Sequence, residues 1–262
     1  MENYIFYQVP AIYLAIPFFL LMIVFNWLGF TVKKNHIKKF PDTDRSGLGP
    51  TEASLLGLMA LLLSFSFGMS ASKFDTRRQV IVLEANDIGT AMLRTDLYPD
   101  SIRDQFRNDF KNYLDARIAY YNVGDDFKKI ETELIKSDSI SGRIWQRAAA
   151  FSHNPGALIP TAQMVPALNA MIDIVTTREA GRKNLVPRLI LIILTLLTWM
   201  SSFLAGYGSK GDERSKVLVI TFALMTTLAL YLVIELDRPR QGLINLNSTE
   251  KLLIDMRVNM DK

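Results

Sequence analysis

The 262-residue sequence has no cysteine, which excludes disulfides, zinc thiolate sites, haem thioether attachment and thiol catalysis, and leaves the redox compartment unassigned. Histidine is almost missing: His36 stands in a basic stretch and His153 in a proline-containing loop, neither beside a nucleophile or at ligand spacing. There is no P-loop, no dinucleotide glycine signature and no H-E-x-x-H pair. The carboxylates between residues 72 and 184 alternate with Lys and Arg as solvated helix faces do. No enzyme chemistry, cofactor or metal is expected. Charge is also missing, and in a pattern: Ala11 to Phe30, Ala53 to Ala71, Leu189 to Tyr207 and Val217 to Ile234 contain no Asp, Glu, Lys or Arg.

Each of these runs is long enough to cross a hydrocarbon core of about 30 Å, where a central charge costs at least ~2.5 kcal/mol. They are read as four transmembrane helices with the lipid bilayer as their solvent. The first is expected to be a retained helix and not a signal peptide, since no basic n-region precedes it and no small-residue cleavage site is evident before Lys33. A 49% hydrophobic content with a mean hydropathy of +0.15 averages two apolar pairs with one charged middle. The expected fold is all-α and polytopic, with four transmembrane helices and a helical domain inserted between helices 2 and 3. The expected divisions are residues 1–71 for two spans and their basic connection, 72–184 for the extramembrane domain, 185–236 for two further spans and 237–262 for an interfacial tail.

The net charge of +4 is spread along the chain, so nucleic acid is not an expected partner. The one basic cluster, Lys33, Lys34, Lys38, Lys39 and Arg45, follows the first span and reads as a cytoplasmic flank. Lys210, Arg214 and Lys216 in the third connection agree, which puts both termini and the domain outside a bacterial inner membrane. Lys73, Arg77, Arg78, Arg178, Arg182, Lys183 and Arg188 flank the membrane on the domain side and argue the other way, although long domains cross with less regard for charge.

Within the domain, Ile81, Ala85, Ile88 and Met92 keep helical apolar spacing, so the second span is expected to run on from Ser72 to Thr95. Tyr98-Pro99 breaks it, with Pro99 suited to the first turn of the next helix, expected over Ser101 to Tyr121. Asn122 to Asp126 reads as a turn, Phe127 to Ile135 as a short helix, Ser137 to Ser141 as a loop and Gly142 to Ser152 as another helix. A loop through Asn154-Pro155-Gly156 and Pro160 precedes a helix over Thr161 to Arg182, with Pro166 as a kink candidate. Ser248 to Met260 closes the chain as an amphipathic helix.

The second span with its continuation, Leu56 to Phe74 then Glu84-Ala85-Asn86, Leu93-Arg94 and Tyr113-Leu114-Asp115-Ala116-Arg117, resembles the bestrophin-like membrane family found widely in bacteria. The closing Leu236-Asp237-Arg238-Pro239 with Gly242 is similar to that family's terminal signature, and the likeness runs from Pro50 to Ile254. The resemblance implies four membrane helices with a helical insert, and oligomeric conduction of small anions by analogy to bestrophins. It also implies a cytoplasmic domain, against the charge reading. No acidic cluster resembles the bestrophin calcium clasp.

Candidate functional residues lie on the second span. Ser54, Gly57, Leu61, Ser64, Gly68 and Ser72 recur at steps of three or four and share a face. Two readings fit: a small-residue packing face, or a pore wall in a homo-oligomer, where Ser64, Ser66 and Ser70 with Phe65 and Phe67 line a narrow path that gates by dewetting. Further along, Glu84, Asp87 and Arg94 are candidates for a buried polar or subunit contact. Glu235, Asp237 and Arg238 read as a helix stop or a selectivity element, with Arg188 or Arg238 as the expected partner of Glu235.

Overall fold

A computed structural model describes residues 9–40, 49–209, 216–240 and 242–261, together with the backbone but not the side chains of 51 and 52. All regular structure among them is helical: α1 (Ala11–Lys39), α2 (Gly49–Leu93) closed by a 3-10 turn (Arg94–Leu97), α3 (Asp100–Asn122), α4 (Phe127–Phe151), α5 (Leu158–Lys183), α6 (Arg188–Tyr207), α7 (Lys216–Asp237) and α8 (Asn247–Asn259). Two compact units result, Met1–Lys73 with Leu185–Arg238, and Phe74–Asn184 with Pro239–Lys262. Arg45, Lys210 and Arg214, which entered the charge reading, lie outside the described residues.

The first unit is the membrane unit. Four helical stretches are long and apolar enough to cross a bilayer, yet only 17–33% of their most apolar windows is buried within the protein. Ile12, Ile16, Leu196, Leu218 and Met225 turn outward. Apolar surface on that scale calls for lipid, or for further protein within lipid, around it. Inside, α1 packs on α6 and α7 through Phe18, Met22, Leu194, Ala223 and Leu230, and the Phe25 and Trp199 rings stack at 5.5 Å. Gly29 and Gly206 allow the contact of α1 with α6: a Cβ on Gly29 would lie 1.9 Å from the Phe203 carbonyl oxygen, and one on Gly206 would lie 2.0 Å from that of Asn26.

The second unit is a helical bundle. The apolar stripe foreseen on the continuation of α2 is buried, with Ile81, Ala85 and Ile88 in the core and Met92 packed on it. Phe106, Phe110, Tyr113, Leu114, Ile144, Met164, Leu168 and Met171 complete that core, and Tyr98 meets the Phe106 and Phe151 rings at 4.9 and 4.8 Å. Tyr98 is extended, as a residue before proline must be, and this ends the 45-residue α2 after its 3-10 turn.

Two expectations are corrected here. Ser137 to Ser141 is the middle of a single 25-residue helix, α4, and not a loop between two short ones. The Ser137 and Ser141 hydroxyls donate to the carbonyls of Leu134 and Asp138 one turn back, so these polar residues are satisfied inside the helix. Asp126 opens α4 by accepting the Lys128 and Lys129 amides at 3.1 and 3.2 Å, after a left-handed Gly124 (φ 62). Pro160 lies in the first turn of α5 and not in the preceding loop, and Pro166 lies inside the same helix. The segment after 238 supplies α8 to this unit, with Leu253 fully buried in its core.

Candidate functional site

Helix period, more than composition, decides where the candidate residues of α2 point. Ser54, Gly57, Leu61, Ser64, Gly68 and Ser72 are all exposed in the protomer, as are Phe65 and Phe67. Ser66 and Ser70 are buried on the opposite side, because an offset of two residues turns a helix by about 200°. The Ser66 hydroxyl donates to the Leu62 carbonyl at 2.8 Å, and the Ser70 hydroxyl is buried without a partner. The structure therefore divides the residues grouped as a single pore wall. Nothing lies within 4 Å of a Cβ built on Gly57 or Gly68, so the small-residue face is open within the protomer. The close approach attributed to such faces is made by Gly29 and Gly206, which carry no local sequence signal of it inside their apolar runs.

The same membrane unit buries Asn26, whose side-chain amide donates to the Ser202 carbonyl at 3.0 Å while the Ser202 hydroxyl donates to the Met22 carbonyl at 2.7 Å. At the end of α7, both carboxylate oxygens of Asp237 accept the Val186 amide at 3.0 and 3.1 Å, fixing the chain that leads into α6. Arg238 donates to the Val9 carbonyl at 2.9 Å, and Glu235 is 3% exposed.

In the helical bundle, Glu84 sits at 0% exposure and accepts from two guanidiniums, Arg117 Nε at 2.5 Å and Arg178 Nη1. Arg178 reaches on through Nη2 to Glu250 of α8, so a single network links α2, α3, α5 and α8. The Arg117, Arg178 and Arg240 guanidiniums lie 4.6, 5.2 and 4.5 Å from the centre of the Tyr120 ring. Arg240 also donates to the Gly124 carbonyl at 2.8 Å, and the Tyr120 hydroxyl donates to Glu179 at 2.9 Å.

The electrostatics follow from burial and partners. Burial alone would raise the Glu84 carboxyl, but the Arg178 and Arg117 charges and hydrogen bonds outweigh it and hold Glu84 below its ordinary value. Glu250 goes the other way: burial pushes it up, and its Arg178 contact only partly offsets that. Glu179 is penalised by burial yet held down to about 2 by Arg182 and Tyr120.

Of the trio Glu84, Asp87 and Arg94, only Glu84 enters the network. Asp87 is partly exposed, raised by burial and by the neighbouring Glu84 charge, and Arg94 donates to the Gln163 carbonyl on α5. Spacing along one helix located Glu84 but could not find partners on other helices. Among the described residues no group of three or more His, Asp or Glu is placed to hold a metal ion.

A membrane unit with four helical runs free of charged residues, joined to a helical bundle with a buried guanidinium–carboxylate network, defines a polytopic α-helical membrane protein. The bestrophin-like domain family matches residues 20–250, and the chain belongs to that family. The structure is similar to crystal structures of a bacterial bestrophin homolog from Klebsiella pneumoniae. A point mutant of that protein gives a TM-score of 0.72 at 13% identity, covering 94% of this chain and 98% of that one. A zinc-phased structure of the homolog gives 0.70 at 14% identity, covering 93% and 98%. At these identities the likeness concerns the fold alone. No curated protein matches the chain.

Proposed function

We propose that several copies of this chain surround an axis with the open face of α2 and form a pathway for small anions across a bacterial inner membrane. The observation that carries this reading is the face itself: Gly57, Ser64, Gly68 and Ser72 lie outward on a helix whose opposite side is packed, with Phe65 beside them as a hydrophobic constriction. A second observation supports assembly. Leu93, Leu158 and Ile159 of the water-facing bundle are 75, 82 and 69% exposed, which a lone protomer in water would not favour. Basic residues near the spans concentrate anions at the entrances. In this reading the chain is not an enzyme and does not bind nucleic acid.

The competing reading is a membrane-anchored scaffold or sensory module that moves no solute. Chloride flux into liposomes separates the two, with wild type set against Gly68→Trp. The open surroundings of Gly68 let the protomer accept that ring, so flux should be blocked while the oligomer persists in a native mass measurement. No wild-type flux, or flux indifferent to Gly68→Trp, sinks the conduction reading, and a monomer sinks the axial assembly.

The basic residues of the first and third connections argue for both termini and the bundle outside, whereas the bestrophin resemblance argues for a cytoplasmic bundle. A reporter fused after Lys262 decides, because four spans put both ends on one side. An extracytoplasmic signal keeps the charge-based orientation, and a cytoplasmic one inverts it.

A further inference from the structure

A groove of about 430 Å³ lies in the helical bundle between α3 and the end of α4, and its chemistry is one-sided. Arg143 and Arg147 stand one turn apart on α4, and the walls also carry the side-chain amides of Gln105, Gln146 and Asn154, with the Phe151 ring as an apolar surface. None of the lining residues is acidic. Behind the wall, Asp109 is 4% exposed and accepts Arg143 Nε at 2.9 Å and Arg147 Nη2 at 2.8 Å. One buried carboxylate thus orients two guanidiniums and neutralises only one of their charges. Arg147 is steadied further by its bond to the Gln105 side chain and by the Phe106 ring 5.8 Å away, yet its Nε is buried with no acceptor. Arg143 uses only Nε in this arrangement and remains 49% exposed, which leaves the end of its fork for another acceptor.

Pre-oriented guanidinium forks with one positive charge left over, amide donors and an aromatic surface are what a small organic anion requires. We propose that this groove binds a small molecule bearing a phosphate or carboxylate group, with the anionic group on Arg143 and Arg147 and a flat body against Phe151. The site does not depend on the conduction reading, and its test does not use flux.

The test is titration calorimetry of the full chain in detergent at fixed ionic strength, with inorganic phosphate, phenyl phosphate and benzoate as probes. Phenyl phosphate or benzoate should bind saturably, one per protomer and at least about tenfold tighter than inorganic phosphate, because only they cover Phe151. Arg143→Gln should weaken that binding at least about tenfold with an unchanged denaturation midpoint, since Asp109 keeps Arg147 as its partner. If the source is a phospholipid head group, vesicles of phosphatidic acid will compete with phenyl phosphate; if it is a free solute, they will not. No saturable heat from any probe, or equal affinity in wild type and Arg143→Gln, overturns the proposal.

Discussion

Between their packed helices the membrane unit and the helical bundle bury polar groups by opposite rules, the membrane unit keeping its buried charges, Lys33, Glu235, Asp237 and Arg238, beyond the charge-free runs. In the membrane unit the contacts that join α1 to α6 are neutral: Asn26 to the Ser202 carbonyl, Ser202 to the Met22 carbonyl, and two glycines that let backbones touch. In the bundle the central polar contact is charged, with Glu84 between Arg117 and Arg178, and Arg178 shared with Glu250. The difference follows from the solvent of the surrounding surface. Lipid gives helices no hydrophobic reason to associate, so close shape and modest hydrogen bonds hold them. A bundle in water gains its cohesion from apolar burial and can carry a paired charge at its centre, at the cost of strong destabilisation if one partner is lost.

The largest expected effect is therefore in the bundle. Glu84→Gln removes the charge that two buried guanidiniums share, and should cost about 3–5 kcal/mol in chemical denaturation monitored by helicity. Glu84 is lowered from 4.5, so its contribution is present above that value and is lost as pH falls through the lower folded value. The wild type should show this acid limb and Glu84→Gln should lack it. Glu250 is raised from 4.5, so its contribution is present below that value and is lost as pH rises through the higher folded value. Glu250→Gln should therefore cost much less at pH 7, on the order of 1 kcal/mol or below. Equal costs for the two substitutions would show that burial of Glu250 is not what opposes its charge.

The next effect sharpens the membrane side. Gly206→Ala or Gly29→Ala puts a methyl into a backbone oxygen and must push α1 from α6, at about 1–3 kcal/mol, read as a lower melting temperature in detergent. Gly68→Ala meets nothing within the protomer and should leave the melting of a dissociated protomer unchanged. A loss at Gly68 as large as that at Gly206 would mean that α2 is packed against protein on the face that is open here.

Those glycines also mark what the sequence could and could not reveal. The four spans were legible because lipid tolerates so few charges that twenty clean residues have little other meaning, and the run of α2 past the membrane was legible in Ile81, Ala85 and Ile88. Glu84 was legible as a buried charge, but its partners stand 33 and 94 residues downstream on other helices, beyond the reach of local spacing. The separation of Ser66 and Ser70 from Ser64 and Gly68 follows from the 3.6-residue period alone, which side-chain type does not carry. Ser137 to Ser141 misled because serine favours loops as often as it bonds back within a helix, and sequence does not say which carbonyl the hydroxyl meets. Gly29 and Gly206 are ordinary residues of an apolar run until the facing helix is known.

The smallest expected effect is the one that can break the comparison. Asn26 is 3% exposed in the membrane unit and donates to Ser202, but its Oδ1 has no partner, so the side chain gains from only half of its polar capacity. Interhelical hydrogen bonds of this kind in membranes average about 0.6 kcal/mol, with a ceiling near 1.7. Asn26→Ala should fall in that range, below Gly206→Ala and far below Glu84→Gln, with melting in detergent as the measurement. If it costs as much as Glu84→Gln, the α1–α6 contact is held by its amide more than by its shape, and the two units follow one rule. If it costs nothing while Gly206→Ala remains expensive, backbone proximity alone sets that contact.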